Sequence, residues 1–283
     1  MFKPVSGQQV VLEGDGMASV CAARLLTDAG VACVLERNAR PKLAAILLGE
    51  QTQRLLHEIF PKSTFNEEEL FTGFARISRR IVLWGEAPEP LNLPHRGVVA
   101  PEGELLTRLW RRVPALPASD PQLPTTAGWR IQSTRTNIAP HQERSYGGRE
   151  ARFALVELSG DAEPEACWVE SVPDGWLFLL SLGEGKATLI AVGDTADRLL
   201  ASSRLVAGRI AQTLQPPSPP VPAYPRLLRS LVEDGTVACG TAAMSFDPLC
   251  GEGAGNAVRE AFLAAGMIRA ALAGADPAAL AHH

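Results

Sequence analysis

Extended runs and helical spacing of the hydrophobic residues alternate along the first part of the chain. Residues 10–14 and 31–36 are mostly extended-favouring and largely apolar, which is typical of buried strands. Between them, residues 17–28 show helical spacing, and Gly30 follows as a C-terminal stop. A strand, a helix and a second strand in this order predict a βαβ unit, and therefore a parallel, doubly wound layer as the core.

Both periods recur in the rest of the chain. Helical spacing predicts further helices in residues 43–60, 101–113 and 194–214. Short extended runs predict strands, most of them in an antiparallel sheet, in residues 77–84, 151–158, 166–172, 176–182 and 187–192. Prolines and threonines dominate residues 114–148, which predicts a loop or a shortened connection. The proline-rich residues 215–222 predict a rigid connector back to the first layer.

Composition and charge narrow the class of protein. The 283 residues are 46% hydrophobic and 20% charged, as in an ordinary soluble globular protein. The formal net charge is -4 and no long basic run occurs, so nucleic-acid binding is not expected. The N-terminus lacks the apolar segment of a secretion signal, and charges interrupt the longest apolar stretch, residues 257–275. We therefore expect no membrane span.

The cysteines indicate a reducing compartment. Five of them are scattered along the chain without the spacing of a zinc site: Cys21, Cys33, Cys167, Cys239 and Cys250. We expect free thiols in a cytoplasmic protein, and no bound metal. Cys250 lies inside a motif and is a candidate for reaction with a cofactor or substrate, but a small buried thiol is the expected state.

The segment Gly14-Asp15-Gly16-Met17-Ala18-Ser19 lies where the first strand meets the first helix. Gly14 and Gly16 allow a tight turn and the close approach of a pyrophosphate, whose charge the N-terminus of the helix favours. Ser19 takes the position of the third glycine of the dinucleotide fingerprint and is also small. The strand before the segment and the helix after it supply the context that this motif needs.

An acidic residue follows at the expected offset. Glu36 ends the second strand, 22 residues after Gly14, close to the roughly 20-residue offset at which a carboxylate binds a ribose hydroxyl. Arg37 is either a contact on the adenosine side of the nucleotide or a solvated arginine after a strand. Together these residues predict a dinucleotide site.

A second segment with the features of an anion-binding turn lies near the other end of the chain. A predicted strand reaches Gly240, and residues 246–253 then lead into an alanine-rich helix. The turn contains a carboxylate, a proline and two glycines, so backbone N–H groups and a helix N-terminus become accessible to an anion. An NAD domain needs only the N-terminal fingerprint, whereas a tightly held flavin is usually bound by distant segments as well. The alternative for Asp247 and Pro248 is a plain turn before a helix.

Several stretches together resemble a known family. Gly14-Asp15-Gly16, Glu36-Arg37 and Phe246-Asp247-Pro248-Leu249-Cys250-Gly251-Glu252-Gly253 are similar to the FAD-dependent monooxygenases of the aromatic-hydroxylase and tryptophan-halogenase type. Residues 170–176 resemble the family's stretch that leads into a strand on the substrate side. Branches with a turn like residues 247–253 look closest to flavoproteins that modify peptides during quinone-cofactor maturation.

This resemblance implies an α/β fold, with a Rossmann-like FAD-binding layer and an inserted antiparallel β-sheet on the substrate side. It divides the chain into the first part of an FAD-binding domain (1–113), a shortened substrate-side sheet and connector (114–231), and the C-terminal part of the FAD-binding domain (232–283). It also implies FAD as the cofactor, NAD(P)H as a candidate reductant, and an aromatic or peptide-linked substrate.

The resemblance assigns roles to the C-terminal segment. The helix that starts near Gly253 points its N-terminus at the pyrimidine edge of the flavin, where it stabilises negative charge on the reduced ring. Asp247, Pro248 and Gly251 shape the wall beside the ring. Gly240 lets the end of the strand approach the ribityl chain.

The chain departs from the family pattern at several positions. Thr241 stands where family members have an aspartate that binds the ribityl chain, and a hydroxyl replaces only part of that hydrogen bonding. Glu102 stands near the position of a flavin-contacting arginine. Residues 157–160 are an altered form of the second nucleotide motif, Asp-Ala-x-Gly. Residues 176–181 lack the Trp-x-Trp-x-Ile-Pro signature of the halogenase branch, so halogenation is not expected.

Three functional hypotheses follow. The leading one is an FAD-dependent monooxygenase; the others are a non-catalytic relative with a binding or accessory role, and an NAD(P)-dependent dehydrogenase. The internal histidines are expected to be surface or packing residues rather than general bases: His57, His95 and His141. Three aromatic residues either line a pocket or belong to the core: Trp168, Trp176 and Phe178. No catalytic side chain is assigned.

Overall fold

The computed structural model describes residues 9–38, 41–61, 70–118, 127–136 and 138–276. Its helices are α1 (Met17–Asp28), α2 (Glu50–Ile59), α3 (Glu102–Trp110), α4 (Ala196–Ala201) and α5 (Gly253–Leu272). Its strands are β1 (Gln9–Glu13), β2 (Cys33–Glu36), β3 (Ile46–Gly49), β4 (Ala75–Leu83), β5 (Leu91–Ala100), β6 (Ala127–Gln132), β7 (Glu143–Ser145), β8 (Glu150–Leu158), β9 (Ala166–Val172), β10 (Gly175–Gly183), β11 (Lys186–Gly193), β12 (Ile210–Gln215), β13 (Val221–Pro222), β14 (Arg226–Leu228), β15 (Val232–Glu233), β16 (Thr236–Ala238) and β17 (Met244–Ser245).

A parallel layer forms around the two ends of the described chain. Its strands have the order β15-β16-β6-β1-β2, and β16, β6, β1 and β2 run parallel. Helix α1 connects β1 to β2 and packs against α5. One hydrophobic cluster joins the sheet to both helices, with Leu12, Leu26, Ile131 and Val258 among its fully buried members. This layer confirms the predicted α/β class and the Rossmann-like order of the first elements.

A larger sheet carries the predicted antiparallel strands. Its order is β12-β8-β11-β10-β9-β4-β5-β3, with β13 paired to β8. Neighbours run antiparallel, except that β4 and β9 are parallel. Strands β8 to β11 correspond to the four extended runs of the middle segment. Because β3, β4 and β5 come from residues before 113, this sheet draws on both sides of that boundary, and the three-part domain division stays a prediction.

The two faces of the larger sheet bury different clusters. Trp168 and Leu189 pack on one face with Leu199 of α4. Val169 and Phe178 belong to the cluster on the opposite face, against which Leu249 of the C-terminal turn also packs. We call this second face, which carries Cys167, Val169 and Phe178, the inner face.

One predicted helix begins as a strand. Residues 43–60 show helical spacing, but Ile46 to Gly49 form β3, and α2 begins only at Glu50. Strand β3 pairs in antiparallel register with β5, so that Leu47 lies opposite Val99. A short apolar run is compatible with a helix or a strand, and pairing with β5 makes this one a strand.

Two further segments differ from the sequence-based expectation. Of residues 194–214, only α4 is α-helical, and the last part pairs with β8 as strand β12. Strand β6 lies inside the segment predicted to be a loop, yet it occupies the position between β1 and β16. The polar side chains of Arg130 and Gln132 interrupt its apolar pattern, which is why a central strand was not predicted there.

A buried carboxylate explains why α4 is short. Glu170 is 1% exposed, and its carboxylate accepts hydrogen bonds from the Ser203 hydroxyl at 2.5 Å and from the backbone N–H groups of Arg204, Leu205 and Val206 at 2.6, 3.1 and 2.9 Å. These N–H groups therefore do not continue the helix. A buried charge is tolerated when its lone pairs are filled in this way.

We predict that Glu170→Gln lowers the free energy of unfolding by about 2 to 4 kcal/mol. An amide offers one acceptor oxygen instead of two, and its NH₂ group would face backbone donors. Urea denaturation of the variant and of Glu165→Gln, a control at an exposed position just before β9, measures the difference. Equal stability of the two variants would contradict the assigned role of Glu170.

Candidate functional site

The N-terminus of α1 is a buried cluster of backbone donors. Gly14 has φ +100°, and Gly16 is the N-cap residue of α1 with no side-chain hydrogen bond to the cap. Met17, Ala18 and Ser19 begin the helix and are all buried. The first N–H groups of a helix have no partner within it, and a buried, uncapped end calls for an external acceptor. The donor set therefore fits a phosphate.

The end of β6 holds this turn in place. The Ser19 and Ser133 hydroxyls are 2.6 Å apart, and Ser133 donates to the Glu13 carbonyl from both its N–H and its hydroxyl, at 3.1 and 2.8 Å. A Cβ on Gly14 would lie 2.6 Å from Cγ2 of Thr134 and 2.7 Å from Oγ of Ser133. Gly14 is thus required both by its backbone conformation and by the lack of space.

Residues 157–160, the expected second nucleotide motif, lie in the larger sheet and not in the parallel layer. Residues 157–160 end β8 in the larger sheet, where the N–H of Leu158 donates to Gly185 and that of Ser159 to Arg209. The segment that meets the fingerprint turn is Ser133 to Thr136, directly after β6. The polar residues of β6 conceal this strand in the sequence pattern, so the segment after it carries no local signal of its position.

Glu36 carries an ion pair on the expected ribose side. Its Oε2 accepts a hydrogen bond from Nη1 of Arg130 at 2.7 Å, and the same nitrogen lies 3.5 Å from Oε2 of Glu13. Burial raises the pKa of Glu13, the Arg130 charge lowers it, and Glu36 raises it. The amide of Asn38 is 3.4 Å from Oε1 of Glu13. Binding of ribose by Glu36 stays a prediction.

Arg37 lies against an aromatic ring. Its guanidinium is 5.8 Å from the centroid of the Trp110 ring, and the indole N–H of Trp110 donates to the Asp15 carbonyl at 3.0 Å. Asp15 also pairs with Lys42 at 2.6 Å. Arg37 therefore belongs to the packing around the fingerprint turn, and its contact with adenosine stays a prediction.

The C-terminal segment meets this turn at Gly240. Gly240 follows β16 with φ +58°, and a Cβ there would lie 3.1 Å from Cβ of Ala18 and 3.4 Å from the carbonyl oxygen of Ser133. Thr241 donates its hydroxyl to the same Ser133 carbonyl at 3.2 Å. Two segments from opposite ends of the chain thus come together, as the resemblance implied.

The turn before α5 lies against the inner face. Oδ1 of Asp247 accepts the N–H of Leu249 at 3.0 Å, so Asp247 and Pro248 do form a turn. Gly251 has φ +65°, and a Cβ there would lie 3.6 Å from Nη2 of Arg80 on β4. Nothing lies within 4 Å of a Cβ on Gly253, and α5 has no side-chain cap at its N-terminus. The predicted contacts of these residues with a ring stay predictions.

Several expectations about individual side chains are now decided. Trp168, Trp176 and Phe178 are all buried, so they belong to the core. The five cysteines are free, but Cys250 is exposed, which corrects the expectation of a buried thiol. Burial raises the pKa of the Cys239 thiol. Within the described ranges, no helix has the length and apolar character needed to cross a membrane.

A carboxylate that sequence reasoning missed supports the Gly240 turn. Oε2 of Glu260 on α5 accepts the N–H of Gly240 at 2.5 Å. Burial raises the pKa of Glu260 to about 7, and the Gly240 hydrogen bond and the Arg259 charge oppose that increase. Its position in an alanine-rich helix gave no signal of this role, because the contact depends on how α5 packs.

We predict that Glu260 makes stability fall as the pH rises from about 5 to about 8. The ordinary pKa of a glutamate is 4.5, so in this interval the folded state binds more protons than the unfolded chain, and the free energy of unfolding decreases with pH. Glu260→Gln cannot ionise and keeps an acceptor for Gly240. The stability of this variant relative to wild type should be roughly 1 to 2 kcal/mol more favourable at the higher pH, since solvent at the partly exposed carboxyl screens part of the effect.

Urea unfolding at the two pH values measures this difference. Glu233→Gln, at an exposed position of β15, serves as the control and should leave the pH dependence of wild type unchanged. A Glu260→Gln variant with the same pH dependence as wild type would show that this carboxyl titrates normally.

Comparisons with known proteins concern the fold. No protein-family profile and no curated protein sequence matches the chain. The flavin-dependent halogenase CmlS superposes with a TM-score of 0.80 at 16% identity, over 98% of this chain and 61% of its own. The peptidyl tryptophan dihydroxylase QhpG, which is essential for tryptophylquinone cofactor biogenesis, gives 0.74 at 19% identity, over 93% of this chain and 67% of its own.

A third solved structure is Klebsiella pneumoniae HpxO, complexed with FAD and uric acid. It gives a TM-score of 0.70 at 16% identity, over 97% of this chain and 82% of its own. The chain therefore has the fold of flavin-dependent halogenases and hydroxylases. It spans about three fifths of the length of CmlS, at 61%.

Proposed function

We propose that this protein is an FAD-dependent oxidoreductase, and specifically a monooxygenase that acts on an aromatic substrate. The observation that carries the proposal is the meeting of Gly240 with Ala18, where a Cβ would be 3.1 Å away. This contact holds the turn after β16, from which the chain continues to α5, against the fingerprint of α1. We therefore assign the uncapped N-termini of α1 and α5 to one site. The shared fold with flavin-dependent proteins, one of them solved with FAD, supports the same cofactor here.

Different residues of the site would bind different parts of FAD. The backbone of Gly14 to Ser19 would bind the pyrophosphate, and Glu36 would accept a ribose hydroxyl while Arg130 balances its charge. The N-terminus of α5 would stabilise negative charge at one edge of the flavin. Bound FAD would supply the redox and oxygen chemistry, with NAD(P)H as the candidate reductant. The inner face would exclude water above the ring.

A second candidate is a non-catalytic relative with a binding or accessory role. Glu102 favours it, because this buried carboxylate accepts the N–H of Leu43 at 2.8 Å where the resemblance expects a flavin-contacting arginine. The third hypothesis, an NAD(P)-dependent dehydrogenase, is disfavoured because it gives the Gly240 turn and α5 no role. The five free cysteines support a cytoplasmic location for any of these functions.

The absorbance spectrum of the purified protein tests the cofactor. The protein should be yellow with flavin absorbance, as isolated or after addition of FAD, and should oxidise NAD(P)H when an accepted substrate is present. Colourless protein that ignores FAD would overturn the proposal. Flavin binding without any turnover would favour the non-catalytic candidate.

We predict that Gly253→Asp stabilises the protein but weakens FAD binding. A carboxylate in the first turn of α5 interacts favourably with the helix dipole, by about 0.3 to 1 kcal/mol. It also neutralises the positive helix end that is proposed to face the flavin. FAD affinity should fall about two- to fivefold. Thermal unfolding and FAD fluorescence titration measure the two effects.

Gly266→Asp is the matched control for this variant. Gly266 lies on the same helix, and nothing lies within 4 Å of a Cβ at either position. The control adds the same charge far from the N-terminus of α5, so its FAD affinity should equal that of wild type. An equal loss of affinity in both variants would mean that net charge, and not the helix end, is responsible.

A further inference from the structure

The inner face of the larger sheet presents an arginine beside the C-terminal turn. Arg80 on β4 pairs in parallel register with Cys167 of β9, and in antiparallel register with Leu93 of β5. Its guanidinium carbon is 5.8 Å from the centroid of the Phe178 ring. A Cβ on Gly251 would lie 3.6 Å from Nη2 of Arg80. The guanidinium therefore lies between the sheet and the turn that precedes α5.

Two hydrogen-bonding nitrogens at this position are left unused, although the Arg80 side chain also interacts with the Cys167 thiol. Nε of Arg80 and Nε2 of His95 are buried, and neither has a hydrogen-bond partner among the described residues. Burial lowers the pKa of His95, the Arg80 charge lowers it further, and the Glu252 charge opposes the shift. Glu252 itself pairs with Arg259 at 3.1 Å. The neighbouring Arg79, by contrast, forms an ion pair with Glu163 at 2.8 Å.

Unpaired buried nitrogens call for a partner from outside the chain. An unsatisfied buried donor costs about 1 to 3 kcal/mol, and more when it is charged, so native proteins usually supply a ligand or an ordered water. A guanidinium offers parallel N–H groups that match the two oxygens of a carboxylate. A neutral imidazole beside it adds a donor or accepts a hydroxyl.

The surface next to Arg80 is apolar and accessible. Leu91 is 59% exposed and lies opposite Val82, and Leu93 is 39% exposed and lies opposite Arg80. Directly opposed residues of an antiparallel pair share a face, so both leucines flank the guanidinium. Leu249 of the turn packs on the same inner-face cluster. An aromatic ring is the chemical group that such a surface accommodates while its acid group reaches Arg80.

We infer that Arg80 and His95 form a carboxylate subsite, and that the substrate is a free aromatic carboxylic acid whose ring lies against Leu91 and Leu93. This inference rests on the proposed function, because the turn before α5 is what would bring such a ring beside the flavin. It distinguishes a free acid from a peptide-linked aromatic side chain, which has no carboxylate next to its ring.

Calorimetric titration of the purified protein with FAD present tests the subsite. The probes are two acid and amide pairs: benzoate with benzamide, and indole-3-acetate with indole-3-acetamide. At least one acid should bind about tenfold more tightly than its amide, as a charge-assisted hydrogen bond predicts. Arg80→Gln should abolish that preference, and Arg76→Gln, at an exposed arginine of the same strand, should preserve it. The flavin spectrum is recorded for every variant.

Each outcome bears on the inference. Equal binding of acid and amide in both pairs would overturn it and favour a peptide-linked substrate. An Arg80→Gln variant that loses FAD but keeps the acid preference would overturn it by making Arg80 a flavin contact. If that variant does not fold, Arg80→Lys replaces it, and an undiminished preference would overturn the inference. An acid preference in protein that binds no FAD would support the subsite and refute only the proposed cofactor.

Discussion

The site depends on one close approach of backbone, at which Gly240 reaches Ala18 and Ser133 without room for a side chain. The turn after β16, the turn after β6 and the first turn of α1 all meet there. The spacing is maintained by short hydrogen bonds: the hydroxyls of Ser19 and Ser133 contact each other, and Glu260 accepts the N–H of Gly240. Because three chain segments share this contact, a shift in any of them would move the donors proposed to bind phosphate.

Two carboxyl groups stabilise the fold through different sets of hydrogen bonds. Glu170 is fully buried and receives enough backbone and hydroxyl donors to remain a satisfied acceptor. Glu260 has one backbone donor and a partly opposing arginine charge, so burial dominates its titration. The first fixes the end of α4 behind the larger sheet, and the second fixes the Gly240 turn. Polar groups therefore position both layers around the site, while the apolar clusters supply most of the burial.

Much of the fold was predictable from local patterns. The strand at residues 9–13, helix α1 and the four strands β8 to β11 follow the expected periods closely. The predictions failed where a segment's neighbours in space decided its conformation. Strand β3 formed because β5 lies beside it, and the loop after α4 formed because Glu170 accepts its N–H groups. Neither partner is near in sequence, so no local period could reveal them.

The sequence by itself determined the two anion-friendly turns, since Gly14, Gly16, Gly240 and Gly251 mark positions where backbone must turn or approach closely. It also identified Glu36 as an acidic residue at the end of β2. Only the tertiary structure decided that Ser133 completes the fingerprint turn, that Arg130 balances Glu36, and that Arg80 lies beside the C-terminal turn. Those roles arise from side chains on different strands of two sheets. Strand order and register, which set such contacts, depend on the packing of the whole chain.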